Sequence, residues 1–134
     1  MNEIVWEISP PVSNDRLNTL FAAAWEDHKA TDFQQMLRHS LLYVCAYDHD
    51  HLIGFVNVAW DGGVHAFLLD TTVHPRFQRQ GIGTTLVQTA VEAVRKHGIE
   101  WLHVDFEPHL RSFYERCGFR STDAGLINVR SSAI

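Results

Sequence analysis

At 134 residues the chain is the size of a single domain, and its 46% apolar and 20% charged content excludes a disordered segment and allows a sizeable core. Eleven basic against sixteen acidic side chains leave a formal charge of −5, which argues against non-specific binding to nucleic acid or an anionic membrane and suits a cationic small substrate better. No run approaches the roughly 20 apolar residues of a membrane span, the opening MNEIVWEISP lacks the basic-then-apolar order of a signal peptide, and Cys45 and Cys117 show no CxxC spacing, so a cytoplasmic protein with reduced thiols is expected.

No repeat, low-complexity tract or linker divides the chain, which predicts one domain over 1–134. Ile4 to Ile8 reads as a short strand stopped by Pro10 and Pro11. Ser13 can then cap a helix with apolar positions Leu17, Leu20, Phe21 and Ala24. A shorter helix is expected from Asp32 to Arg38. Leu42 to Tyr47 and Leu52 to Trp60 form a hairpin around the turn-forming Asp48-His49-Asp50-His51. Gly62-Gly63 turns the chain into a third strand, Val64 to Val73, on which simple alternation places Ala66, Leu68, Asp70 and Thr72 on one face. Between Gly83 and His97, Leu86, Val87, Ala90, Val91 and Val94 recur at helical spacing, with Arg95-Lys96-His97 and Gly98 closing the helix. Trp101 to Phe106 is a strand, and Leu110, Phe113, Tyr114 and Cys117 form a helix stripe ended by Gly118. Phe119 to Arg130 is expected to supply one or two closing strands around a turn near Asp123 to Gly125. This order predicts an α/β fold, a mixed and mostly antiparallel central sheet flanked by helices.

The most informative stretch joins the third strand to the long helix: Val73-His74-Pro75-Arg76-Phe77-Gln78-Arg79-Gln80-Gly81-Ile82-Gly83-Thr84. Glycines at 81 and 83 let the backbone approach a ligand, and the amides leading into a helix N-terminus present donors and a positive dipole end to an anion. The first helical turn carries Thr84 and Thr85 and no acid, while Arg76 and Arg79 add positive charge. A phosphate suits such a loop, but so does a plain chain reversal. A P-loop is excluded because no Gly-Lys-Ser/Thr occurs. A dinucleotide fingerprint is disfavoured because Leu86 stands where the third glycine is needed.

Gln78-Arg79-Gln80-Gly81-Ile82-Gly83 resembles the acyl-CoA motif Gln/Arg-x-x-Gly-x-Gly/Ala of the GNAT superfamily of N-acetyltransferases. Phe113-Tyr114-Glu115-Arg116-Cys117-Gly118-Phe119 is similar to a second hallmark of that family, Phe-Tyr-x-x-x-Gly-Phe. The likeness is densest from Val64 to Phe119, and in the N-terminal third it extends only to the order of elements. It implies the GNAT fold, acetyl-CoA as cosubstrate, no metal, and a small-molecule or peptide amine as acceptor. Backbone amides of Gln78, Arg79, Gln80, Gly81, Ile82, Gly83 and Thr84 would hold the pyrophosphate, and the main chain near Thr72 and Val73 would bond the pantetheine arm and thioester carbonyl. Tyr114 takes the family position of the general acid, and Asp70 is the candidate base, against the alternative of a polar residue at a strand irregularity. Glu107 stands where relatives often have an Asn that contacts CoA, a departure that puts that side-chain contact in doubt. Homodimers are frequent in the family, and one is expected here. A non-catalytic acyl-CoA-binding module is the alternative function.

Other clusters carry weaker signals. The Asp48-His49-Asp50-His51 tip is the densest group of potential metal ligands among nine histidines, but residues of a hairpin tip point apart and are solvated. His103 and Asp105 share one face of their strand and could pair. Trp25, His28 and Phe33 could line the acceptor site as a cation-binding wall, or be core. Neither cysteine has a histidine at an informative spacing, which disfavours a cysteine nucleophile.

Overall fold

Strand β3 (His51–Trp60) is buried without a break from Leu52 to Val58, the pattern of a strand covered on both faces. It pairs antiparallel with β2 (Ser40–Asp48), placing Cys45 opposite Phe55 and Ala46 opposite Gly54. On the Phe55 face, helices α1 (Asn14–Ala24) and α2 (Phe33–Leu37) contribute Leu17, Leu20, Phe21 and Phe33 to a cluster with Cys45, Tyr47 and Leu52. On the other face, helix α3 (Ile82–Arg95) lies so close that a Cβ on Gly54 would stand 3.0 Å from Leu86 Cδ1 and 3.2 Å from Ala46 Cβ. The sheet runs β1 (Ile4–Ile8), β2, β3, β4 (His65–Val73), β5 (Trp101–His103), antiparallel throughout except for the parallel pair β4 and β5. This computed structural model describes residues 3–131, and the chain divides into two compact units, Met1–Val104 and Asp105–Ile134. All of the elements named so far belong to the first.

The helix starts follow local chemistry. Ser13 Oγ accepts the Arg16 amide at 3.1 Å, satisfying a donor the helix leaves orphaned. Ser13→Ala is expected to lower stability by about 1 kcal/mol, read from urea unfolding. The Asp32 carboxylate caps α2 and accepts from both Asn14 Nδ2 and the Gln34 amide, which together hold it below its ordinary pKa.

Three expectations from sequence fail, the simplest being the length of β5, which ends at His103 and not at Phe106. Alternation along β4 breaks, because Leu69 pairs with Asn57 and Thr72 with Phe55, leaving Asp70 and Thr71 both opposite Val56. This β-bulge, with Asp70 at φ 60°, shifts the strand's parity. Ala66 and Leu68 face the α3 side, whereas Thr72 is turned to the Phe55 face, where α1 lies. The four residues read as one face are therefore split across two.

The second unit holds a 3₁₀ turn, Pro108–Leu110, and helix α4 (Arg111–Arg116), which ends at Cys117 and Gly118, the latter at φ 107°. Tyr114 is buried, its ring stacked on Phe106 at 5.0 Å and edge-on to Phe113 and Phe119. The closing strands expected between Phe119 and Arg130 are absent from the described residues, and Leu126, Ile127 and Val129 are exposed. Their β-prone composition is real, but a strand exists only with a neighbour to complete its ladder, and this unit holds no other strand among its described residues.

Candidate functional site

The loop from Val73 to α3 is built to leave backbone donors uncovered. A 3₁₀ turn, Pro75–Phe77, is capped by the His74 side chain, whose Nδ1 accepts the Arg76 amide at 3.1 Å. Gln78 and Gln80 then fold their side-chain amides back onto the main chain, donating to Val73 O at 3.1 Å and Arg76 O at 3.3 Å. Their side chains thus brace the loop, and the Gln78 backbone amide closes the 3₁₀ turn by donating to Pro75 O at 3.5 Å. Arg79 and Gly81 both take positive φ, 63° and 82°. Gly81 serves as N-cap of α3 with no side chain capping it, and a Cβ there would meet nothing within 4 Å. The first intrahelical acceptor, Gly81 O, is taken by Thr85 N, so the amides of Ile82, Gly83 and Thr84 come before the helix's own bonding begins. With no acid in the first turn, this N-terminus keeps its positive dipole end unopposed. The open space and unclaimed donors fit the phosphates of a CoA thioester. Arg76 and Gln80 also border a cleft of about 600 Å3 shared with Arg16, Asp50 and His51.

The bulge sets up the other half. Strands β4 and β5 pair only from His65–Trp101 to Phe67–His103, so among the described residues no ladder continues along that edge of β4 from Leu68 to Val73. An edge of this kind can bond an extended chain such as a pantetheine arm. Asp70 sits on the stretch as an exposed residue whose carboxyl is nonetheless crowded by protein atoms, and this desolvation raises it above the ordinary value. Thr72 Oγ1 donates to Asp70 O at 2.9 Å and accepts the indole N–H of Trp25 at 3.1 Å. Trp25 was legible as a member of an aromatic group, but its tie to the bulge joins positions 47 residues apart and leaves no local signal.

The remaining candidates separate cleanly. Phe33 is core, and His28 bonds Asn18 Oδ1 at 2.7 Å and stacks on Phe33. Of the three aromatic positions, Trp25 alone stays half exposed. His103 pairs with His65, ring nitrogen to ring nitrogen at 2.8 Å, while Asp105 opens the second unit. Glu107 caps the Pro108–Leu110 turn through its carbonyl, which accepts from Leu110 N. At the hairpin tip His49 takes φ 54° and bonds Asp48, and among the described residues no three His, Cys, Asp or Glu side chains converge as a metal site. Burial pushes the Cys45 thiol up to about 12 and raises that of Cys117, so neither is an activated nucleophile. No helix among the described residues is long and apolar enough to cross a membrane.

The sequence model described as the Acetyltransferase (GNAT) family matches residues 3–119. The chain is 30% identical over 115 residues to GCN5-related N-acetyltransferase 1, chloroplastic, of Arabidopsis thaliana, an alignment covering 84% of this chain and 58% of that protein. A GNAT family acetyltransferase of Streptococcus pneumoniae shares 26% identity and superposes with a TM-score of 0.78, over 94% of this chain and 98% of that one. A GNAT family N-acetyltransferase of Escherichia coli, solved in complex with CoA, has the same fold at 20% identity and a TM-score of 0.74, over 90% and 70% of the two chains. The chain spans roughly two fifths to three fifths of the length of the curated relatives it matches.

Proposed function

The chain belongs to the acetyltransferase (GNAT) family, and from that premise we propose that it transfers an acetyl group from acetyl-CoA to a primary amine by direct attack. The observation that carries this reading is continuity: the part of β4 that lies beyond its pairing with β5 leads through one short loop into a helix N-terminus with no side-chain cap. A ligand with a pyrophosphate at one end and an extended amide-bearing arm at the other matches both parts.

In this reading the amides from Arg79 to Thr84 hold the pyrophosphate, with the Gln78 amide turned onto Pro75 O, and main-chain groups near Thr72 and Val73 bond the arm and the thioester carbonyl. An N–H aimed at that carbonyl stabilises the oxyanion as the amine attacks, and holding both reactants in line supplies much of the rest. A C–N bond forms, the C–S bond breaks, and CoA leaves as a thiolate. Asp70 takes the proton the amine loses, directly or through water. Its raised carboxyl makes it a stronger base than an ordinary aspartate.

Tyr114 is assigned the proton donor to the thiolate on the strength of the motif Phe113 to Phe119. A thiol of ordinary pKa near 8.5 leaves readily without full protonation, so this assistance is modest. Tyr114→Phe, which keeps the buried ring and its aromatic contacts, is expected to lower kcat by about 10- to 100-fold with acetyl-CoA affinity nearly unchanged. Stopped-flow thiol release beside calorimetric titration measures both quantities.

Calorimetric titration with acetyl-CoA, with NAD as control, followed by thiol release across a panel of amines, tests the whole proposal. Binding with turnover on some amine supports it. Binding without turnover favours an acyl-CoA-binding module, and absence of binding overturns the assignment of Arg79 to Thr84.

A further inference from the structure

Trp25 is a large aromatic residue left 51% exposed at the C-cap of α1, while its indole N–H is spent on a buried hydroxyl. The direction of the bonds that follow is fixed without sight of a hydrogen. An indole nitrogen can only donate, so Thr72 Oγ1 must accept from it, and the hydroxyl proton must then go to another acceptor. The acceptor in reach is Asp70 O at 2.9 Å, a carbonyl that can only accept. Thr72 is 1% exposed, so water cannot substitute for either partner, and the chain Trp25 to Thr72 to Asp70 is satisfied only in this one sense.

What the chain of bonds holds is the bulge. Asp70 has no ladder partner on β3 and sits at φ 60°, a conformation that aspartate tolerates better than most residues but does not prefer. Thr72 is the first residue after the bulge to pair with β3 again, opposite Phe55. A bond from its side chain to the carbonyl two residues earlier ties the two ends of the irregularity together, and Trp25 anchors that tie to α1. We infer that Trp25 and Thr72 are positioning residues which hold the left-handed backbone of Asp70, and with it the place of the Asp70 carboxylate. This rests on the acyl-transfer reading for its consequence in catalysis, though not for its structural content. Desolvation by the surrounding protein raises the Asp70 carboxyl, so a change in its backbone placement is expected to move its titration.

Thr72→Val keeps shape and removes the hydroxyl, Trp25→Phe keeps a ring and removes the donor, and Thr72→Ser restores a hydroxyl. Each is to be followed by its pH profile of kcat/KM, by carbon-detected NMR titration of the Asp70 carboxyl, and by circular dichroism to establish folding. Thr72→Val and Trp25→Phe are expected to lower kcat at least about tenfold with the KM for acetyl-CoA within about twofold. Both should move the acid limb and the Asp70 titration in the same direction, toward an ordinary carboxylate, and the pair together should be little worse than either alone. Thr72→Ser should recover most of the rate. Folded variants with unchanged kcat and an unmoved Asp70 titration overturn the inference. Trp25→Phe alters a half-exposed ring and keeps the test decisive if Thr72→Val does not fold. If the wild-type protein turns over no amine, the acyl-transfer reading fails on that result alone. The Asp70 titration then decides the positioning claim by itself: moved in folded Trp25→Phe it stands, unmoved it falls.

Discussion

Asp70→Asn is expected to lower kcat/KM by about 1,000-fold, the middle of the range for loss of a general acid or base, while leaving the protein as stable as wild type or more so. The two effects separate because they have different origins. Asparagine keeps the size of the side chain and can sit at the same positive φ, so the bulge and the Thr72 bond to the residue-70 carbonyl survive. What disappears is the group that accepts the amine's proton. Stability moves the other way because the Asp70 carboxyl is raised by burial. The folded state prefers the neutral acid, so the contribution of this group is fully present below the unfolded value of about 3.8 and is lost as pH rises through the raised folded value. At neutral pH the wild type carries a partly desolvated charge that Asp70→Asn does not. Urea unfolding at pH 7 should show an equal or higher midpoint for the variant, and any difference should close as the pH is lowered through the acid range and Asp70 is protonated. The acid limb of the pH profile should vanish in the residual activity. A variant with wild-type kcat/KM would remove Asp70 from the mechanism.

Gly83→Asp is expected to weaken acetyl-CoA binding by at least about 100-fold without unfolding the protein. Gly83 lies in the first turn of α3 and has no positive φ, so the backbone accepts a side chain there. A carboxylate at this place is favourable to the helix itself, by about 0.3–1 kcal/mol, because it complements the dipole. It is unfavourable to a bound anion on two counts. It repels the phosphates, by about 1–4 kcal/mol at a separation of roughly 4 Å between surface and bulk dielectric limits, and it competes for amides that each contribute about 1.5–3 kcal/mol to a charged acceptor. Together these come to about 2.5–7 kcal/mol, a range that starts near the roughly 2.7 kcal/mol of a 100-fold loss and lies mostly above it. Calorimetry and thermal unfolding on the same sample check both halves. Lost affinity with an unchanged or raised melting temperature is the expected pair. Unimpaired acetyl-CoA binding would place the pyrophosphate elsewhere.

Most of the first unit can be read from the chain because its signals are local and agree with one another. Leu86, Val87, Ala90 and Val94 recur at helical spacing and are all buried under β2, β3 and β4. Ser13 and Asp32 cap the helices their positions suggest. The anion loop is legible for the same reason, since glycines, a strand before and a helix after are all found within a dozen residues. The bulge is legible only as the alternative reading of Asp70, a polar residue at a strand irregularity. Asp70, Thr71 and Thr72 are polar and compatible with either face, so their order does not fix where the extra residue falls, and the parity of β4 is set by pairing with β3 instead. The bond from Trp25 to Thr72 is hidden more deeply, because it exists only after α1 has packed on the sheet. In the second unit the error is of another kind. Leu126, Ile127 and Val129 have the composition of a strand, but composition expresses a willingness to pair and says nothing about the presence of a partner.

Gly54 has a bearing on affinity that its place beneath α3 does not advertise. It stands opposite Val73, the last residue before the loop, and a Cβ there would meet Leu86 and Ile82 in the first turns of the helix proposed to hold the phosphates. The missing side chain sets the height at which that helix rides above the sheet. Any larger residue would lift the N-terminal end while Val73 stayed pinned in the ladder, tilting the helix amides relative to the strand edge. On the proposed reading, the fit to a molecule bound at two points would be calibrated from inside the core, at a position outside the proposed contacts, and drift there would retune the span between the two points without changing a single contact residue.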